Sequence, residues 1–218
     1  GNIKIPVPPI DIQKKIVAEC SKVDEEVKGA NENIGIAKRE IEKKVEEGIK
    51  DAEEFKFESV ARLEYGKPLK ESDRTKGEFP VMGSNGIVGY HNEALIKGPS
   101  IIVGRKGSAG AVVFVEKDSF PIDTTFYVTY DENLVDLKFF YYLLKKFNLP
   151  EIARGKGIGV PGLNRNNVHN LRIALPSLSI QKELIQEIEI LEAQISTAKN
   201  IIEQAPAQKQ QILKKWLE

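Results

Sequence analysis

Cysteine occurs once in this chain of 218 residues, as Cys20, methionine once, as Met82, and histidine only as His91 and His169. A single thiol excludes an internal disulfide and any zinc site built on several cysteines, and two imidazoles leave little for a histidine-based metal centre. Cys20 is expected as a small core residue. Long apolar runs are missing as well. No stretch approaches the roughly 18 to 20 residues that a membrane helix needs, and no charged-then-apolar leader precedes Ile3. A cytoplasmic protein with no membrane partner is expected. With its one methionine internal, and with Gly1 opening inside strand-like sequence, the chain reads as a fragment of a longer one.

Catalytic signatures are equally scarce. The sequence holds no G-x-S-x-G elbow, no H-E-x-x-H and no glycine-rich strand-to-helix fingerprint for a nucleotide or methyl donor. Asp123, followed by Thr124 and Thr125, fits turn-and-strand chemistry better than a carboxylate site. No nucleophile, base and orienter can be assembled from the residue types present.

Charge of one sign is not in excess, since 32 basic residues balance 32 acidic ones. Their distribution is uneven. From Lys56 through Leu175 there are 17 Lys and Arg against 13 Asp and Glu, whereas the two ends hold 15 against 19. A basic middle with acidic ends permits contact with nucleic acid without requiring it. The 41% hydrophobic content is enough for a real core.

What the chain does have is a repeat. Displaced by 168 positions, IPVPPIDIQKKIVAE from Ile5 overlays IALPSLSIQKELIQE from Ile173, aligning Pro8 with Pro176, Ile12 with Ile180, Gln13 with Gln181, Lys14 with Lys182 and Glu19 with Glu187. Each copy reads as a strand, a proline turn that stops helix from starting early, and a long helix with Asp11 or Ser179 at its cap. Apolar residues then step by 4 and 3. They fall at Ile16, Cys20, Val23, Val27, Ala30, Ile34 and Ala37 in one copy, and at Leu184, Ile188, Leu191, Ile195, Ala198, Ile202 and Ala205 in the other. That is the rhythm of a coiled-coil seam.

The spacing predicts helices from about Ile12 to about Glu54 and from Ile180 to Leu217, each roughly 60 Å long. Pro206 is expected to bend or briefly interrupt the second. A seam this narrow wants a partner along its length, and two helices flanking one domain pair most simply in opposite directions.

Between Phe57 and Leu175 the texture changes to β-branched and aromatic runs, SIIVGRKG, AVVFVE and TTFYVTY, separated by Gly, Asn and Pro turns. One helix is predicted within it, Asp136 to Phe147. The fold class is therefore α+β: a mostly β domain with a few helices, flanked by two long helices forming an antiparallel coiled coil.

Three loops in that middle combine glycine with donors: GSNGIVGY, GRKGSAG and ARGKGIGVPGLNRNN. Glycine lets the backbone approach a partner while Ser, Asn, Lys and Arg donate to phosphates and base edges. Ser84, Asn85, Arg105, Lys106, Ser108, Lys156, Asn164 and Arg165 are the candidate contacts. Each loop also has a plainer explanation. GSNGIVGY fits a hairpin turn, and the Lys156–Arg165 segment fits a solvated surface loop. GRKGSAG lacks the P-loop spacing, so a nucleotide phosphate is not its expected ligand.

Three pieces together resemble the specificity subunits of type I restriction-modification systems. They are the paired motif PPIDIQKKI and PSLSIQKEL opening each long helix, GVPGLNRNNVHNLRIALP running into the second copy, and FPVMGSNGIVGYHNEALIKGPSIIVGRKGSAGAVVFVE in the body. The resemblance covers essentially the whole chain, and its specificity lies in the combination. It implies that residues 1–9 are the tail strand of a preceding recognition domain, 10–55 a first spacer helix, 56–175 a DNA target-recognition domain and 176–218 a second spacer helix.

It also implies a non-catalytic subunit that reads half of a bipartite site in double-stranded DNA and docks methyltransferase (modification) subunits through its helices, with a restriction subunit in the full complex. The seam positions Ile16, Val23, Val27, Ile34, Leu184, Ile188, Leu191, Ile195 and Ile202 are the candidates for pairing and docking. No cofactor is expected on this chain, and S-adenosylmethionine is expected on the partner methyltransferase. The departure is one recognition domain where the family has two, which a homodimer about a two-fold axis would restore. A coiled-coil scaffold or protein-interaction module without direct DNA readout remains the alternative, because the basic surplus is small.

Overall fold

The computed structural model of the protein describes residues 7–154 and 162–217. Its first helix, α1 (Ile10–Ile49), leads through β1 (Glu53–Lys56) and the single turn α2 (Phe57–Val60) into β2 (Ala61–Tyr65). A 3-10 turn at Glu71–Asp73 precedes β3 (Phe79–Gly83), β4 (Gly86–His91), β5 (Ser100–Gly104), β6 (Val112–Val115), β7 (Phe120–Pro121) and β8 (Thr125–Tyr130). Then come α3 (Leu137–Lys146), α4 (Leu149–Arg154), α5 (Arg165–His169), β9 (Arg172–Leu175) and α6 (Leu178–Leu217). The chain divides into two compact units, Gly1–Lys43 with Glu187–Glu218, and Lys44–Gln186.

In the first unit the two helices run antiparallel. Lys209 pairs with Asp24, Lys215 Nζ lies 2.8 Å from Glu19 Oε1, and Lys15 lies over the Trp216 ring at 5.1 Å, so position falls along one helix as it rises along the other. The heptad seam is where they meet. Val23, Ala30 and Ala37 of α1, with Ile188, Ala198 and Ala205 of α6, are buried. Ile16, Val27, Ile34, Leu191, Ile195 and Ile202 are half-buried. Cys20 is half-buried on this seam rather than in a core. Alanine holds four of these six buried positions, which suits a close-packed seam.

Two expectations about these helices are corrected. The first ends at Ile49, not near Glu54, because Glu53–Lys56 pairs antiparallel with Arg172–Leu175. That ladder satisfies backbone groups which a further helical turn would have used internally. The second helix runs uninterrupted through Pro206. Proline there removes one helical hydrogen bond at about 3 kcal/mol, but the flanking residues are held across the seam, Ala205 by burial and Lys209 by Asp24.

The helix starts explain the repeat. Both begin two residues before the predicted positions, which places Asp11 and Ser179 within the first turn rather than at the cap. In each copy the glutamine side chain reaches back over the proline turn. Gln13 Nε2 donates to Pro8 O at 2.7 Å and Gln181 Nε2 donates to Pro176 O at 2.8 Å. Of the strand expected over residues 1–9, residues 1–6 lie outside the described residues and residues 7–9 form no strand, the helix starting at Ile10 directly after them.

The second unit is built on three sheets among the described residues: β1-β9, the antiparallel β2-β8-β5-β6, and β4-β3-β7, in which β3 and β7 run parallel. Phe57, Leu63, Ile101, Phe126, Phe139, Phe140 and Leu143 are fully buried between sheet and helix. Each such side chain contributes about 1.5–3 kcal/mol by leaving water. The predicted helix at Asp136 forms as α3, with the Asp136 carboxylate accepting from Phe139 N at 2.9 Å as its cap and Lys145 and Lys146 complementing the dipole at its end.

Gln181 ties this unit together. It is fully buried, its Nε2 also donates to Leu134 O at 2.8 Å, and its Oε1 accepts from Asp136 N at 2.8 Å. Gly48 packs against the same part of α6: any side chain at position 48 would collide with Leu184. Replacing Gln181 by leucine should therefore destabilise the protein by about 3–5 kcal/mol, since three buried or part-buried backbone groups lose their partner at about 1–3 kcal/mol each. Gln13→Leu, at a half-buried position with the Pro8 bond, should cost about 1 kcal/mol. Chemical unfolding of both variants checks the contrast, and equal losses would count against it.

Candidate functional site

Three strand ends meet at one end of the four-stranded sheet. Tyr65 closes β2 opposite Phe126 of β8, Gly104 closes β5 opposite Thr125, and Val103 of β5 faces Val112 of β6. The β5–β6 loop, which carries Arg105, Lys106 and Ser108, must therefore emerge beside Tyr65. Its backbone is anchored below by Arg105 N and Lys106 N, which donate to Thr124 O at 2.9 and 3.1 Å. Gly110 sits at φ +85° with its Cα against the backbone of Leu149 and Pro150, so a side chain there meets both a disfavoured conformation and a lack of room.

The other two loops arrive at the same place. GSNGIVGY is a hairpin, β3–β4, whose two-residue turn is Ser84–Asn85, with Gly86 at φ +111°. Ser84 Oγ donates to Thr124 O at 2.6 Å, which fixes the hairpin tip to the anchor used by Arg105. From the third loop, Leu163 N donates to Arg105 O at 2.9 Å and Gly162 bridges to Lys106. Hairpin geometry and convergence on a shared site thus coexist. The Asp123–Thr125 segment is the turn into β8, closed by Thr125 Oγ1 donating to Ile122 O at 2.7 Å, and it supplies carbonyls rather than a carboxylate site.

Arg105 and Arg165 both face the Tyr65 ring, each with its guanidinium carbon 4.9 Å from the ring centroid. Arg105 Nη1 also donates to Asp123 O at 2.9 Å, and Arg165 Nη1 lies 3.6 Å from Glu64 Oε2. Asn85, Lys106 and Ser108 are exposed, while Ser84 is half-buried. Asn164 caps α5, its Oδ1 accepting from Asn166 N at 2.9 Å, which leaves its amide nitrogen for a partner. Lys156 lies outside the described residues. Tyr65 and Glu64 were not foreseen from sequence: one aromatic and one acid at the end of a strand carry no spacing signal of their own.

Both histidines serve the fold as acceptors. His91 Nδ1 accepts from Thr75 N at 3.0 Å, and His169 Nε2 accepts from Leu63 N at 2.9 Å while its ring stacks on Phe57. His169 closes α5 and so braces the helix that presents Arg165. Among the described residues no group of three or more His, Cys, Asp and Glu is placed to hold a metal.

A family model for the type I restriction modification DNA specificity domain matches residues 49–207. The chain belongs to this family. Over 84 residues, 38% of this chain and 18% of that protein, it is 32% identical to the type I restriction enzyme EcoDI specificity subunit of Escherichia coli. Its fold is similar to that of the type I restriction-modification S subunit of M. genitalium, with a TM-score of 0.71 at 19% identity, covering 95% of this chain and 61% of that one. The HsdS subunit of Thermoanaerobacter tengcongensis follows at a TM-score of 0.56 and 14% identity, covering 97% and 59%. The chain thus spans about three fifths of these solved specificity subunits. The α+β fold with long first and last helices is the fold of the family, and no helix among the described residues is long and apolar enough to cross a membrane.

Burial holds the His169 imidazole below the usual histidine value, with Glu58 opposing and Arg165 and Arg62 assisting the shift. A depressed folded-state pKa means that the stability due to neutral His169 is complete above the unfolded value of about 6.5 and is lost as pH falls below it. The melting temperature should therefore fall as pH drops below about 6.5. His169→Gln, which keeps an acceptor without titrating, should flatten that drop in a melting series; an unchanged pH profile would assign the effect elsewhere.

Proposed function

We propose that this chain is the non-catalytic DNA-recognition component of a type I restriction-modification complex. It reads one half of a bipartite site through the loops around Tyr65. The observation that supports this best is the convergence of three donor-bearing loops, separate in sequence, at one end of the β2-β8-β5-β6 sheet in a member of the DNA specificity family. Arginine there can pair with guanine edges or with phosphates, while exposed Asn85, Lys106 and Ser108 add further donors.

The paired helices serve in this proposal as spacer and as docking surface for methyltransferase subunits. What supports docking is that the seam leaves apolar side chains at its margins, with Val17 and Ile36 on α1 and Ile190 and Ile201 on α6 exposed. The partner methyltransferase would bring S-adenosylmethionine, and a restriction subunit would complete the assembly. A two-fold homodimer would present two identical readers to a symmetric split site.

Arg105→Ala with Lys106→Ala tests the DNA assignment in the complex with the cognate methyltransferase subunits. Binding to a random-sequence duplex should weaken, and the salt dependence of log K should flatten by about 0.9 for each phosphate that the variant no longer neutralises. Affinity and slope that match wild type would remove both residues from the footprint. If DNA affinity and sequence preference were the same with and without this chain, a coiled-coil scaffold would be the better description.

A further inference from the structure

Tyr65 is a costly arrangement unless its neighbours are used. Its ring rests on the fully buried Phe126, at a centroid distance of 5.0 Å, yet the residue is 46% exposed. Two like charges from loops 60 positions apart in sequence are brought to that one ring, each guanidinium carbon 4.9 Å from the centroid. Like charges repel at this range, and the electron-rich ring faces offset the repulsion. Each arginine is restrained a second time, Arg105 by Asp123 O and Arg165 by Glu64, and the Leu163 N to Arg105 O bond locks the two loops together. Holding two flexible cations still in the free protein removes an entropy loss that would otherwise fall on binding.

We propose that Tyr65 is a positioning residue that joins Arg105 and Arg165 into one reading unit, addressed to a single short run of base pairs. This rests on the DNA-recognition reading above and goes beyond it by coupling the two arginines and limiting their reach. The guanidinium carbons can be no further apart than twice 4.9 Å. With about 4 Å of reach from each guanidinium carbon to its acceptor and about 3.4 Å per base step, that places their targets within about six consecutive pairs. The ligand is duplex DNA, contacted at neighbouring guanine edges or at the phosphates beside them.

The experiment uses the full chain assembled with its cognate methyltransferase subunits. The probes are a duplex carrying the motif methylated in cells that hold the complete system, and a scrambled duplex. Tyr65→Leu should weaken motif binding about five- to thirtyfold, the combined loss of two exposed cation–π interactions. Tyr65→Phe and Tyr65→Trp, which keep a ring face, should stay within about twofold of wild type. Adding Arg105→Ala to Tyr65→Leu should have less effect than Arg105→Ala alone, and Arg105→Ala and Arg165→Ala should relax the motif at positions within the same run of about six consecutive pairs. Should Tyr65→Leu melt, Arg105→Lys and Arg165→Lys replace it, since lysine keeps the charge and loses the planar stacking. The same motif-specific weakening is then expected.

The coupling is overturned if a folded Tyr65→Leu, or the lysine pair, binds as wild type. It is also overturned if Tyr65→Phe falls as far as Tyr65→Leu, or if the two arginines control distant positions. Those results differ from a failure of DNA recognition itself, in which neither arginine variant changes binding at all.

Discussion

The buried amide of Gln181 is the interaction on which the recognition unit depends. An amide both donates and accepts, and here it does so to main chain from two sides: Pro176 O and Leu134 O take its hydrogens while Asp136 N gives to its oxygen. Asp136 is in turn the cap of α3, so one side chain holds the start of the last helix against the start of the helix that covers the sheet. No hydrophobic residue could replace it without leaving three main-chain groups, all buried or part-buried, without this partner. The repeated Gln-Lys motif is thus a clamp rather than a composition accident. Gln13 keeps its shared part, the bond back over the proline turn.

From that clamp the geometry of the candidate site follows. β9 ends at Leu175, just before Pro176, and pairs with β1, so the strand entering the unit and the strand leaving it form one ladder. α5 lies immediately before β9, and its His169 is bonded to Leu63 in β2. Two residues further along β2 stands Tyr65. The position of Arg165 relative to that ring is therefore fixed by hydrogen bonds at both ends of a short helix, the His169 imidazole accepting from Leu63 N at one end and Leu163 N donating to Arg105 O just before the other. Arg105 comes from the opposite side, on a loop whose amides are pinned to Thr124. Each arginine is thus anchored through its own segment before the two loops meet, which is why such distant parts of the chain can share one aromatic face.

Much of this was legible in the chain itself, for identifiable reasons. Periodicity in the long helices is a property of many residues at once, so a single breaker such as Pro206 does not erase it. Asp136, an apolar face and two terminal lysines specify α3 locally. The three loops were visible because glycine beside basic and amide side chains is a local composition signal. What sequence could not supply was pairing between distant segments. The helix boundary at Ile49 is set by β9, more than a hundred residues away, and the continuity of α6 through Pro206 is set by contacts on α1. Tyr65 belongs to the same class, since its importance lies entirely in what two remote loops bring to it.

Charge decides what kind of recognition such a unit can offer. The segment Lys56–Leu175 carries only four more basic than acidic residues, so counterion release alone would give it modest affinity for any duplex. A strongly basic surface gains affinity everywhere and distinguishes little. A nearly neutral one that holds a few donors rigidly gains most where those donors meet matching acceptors, and loses the desolvation of its arginines where they do not. Arg105 and Arg165 are half-buried and each restrained twice, while Glu64 stands beside one of them to penalise misplaced phosphate. The arrangement favours discrimination over grip.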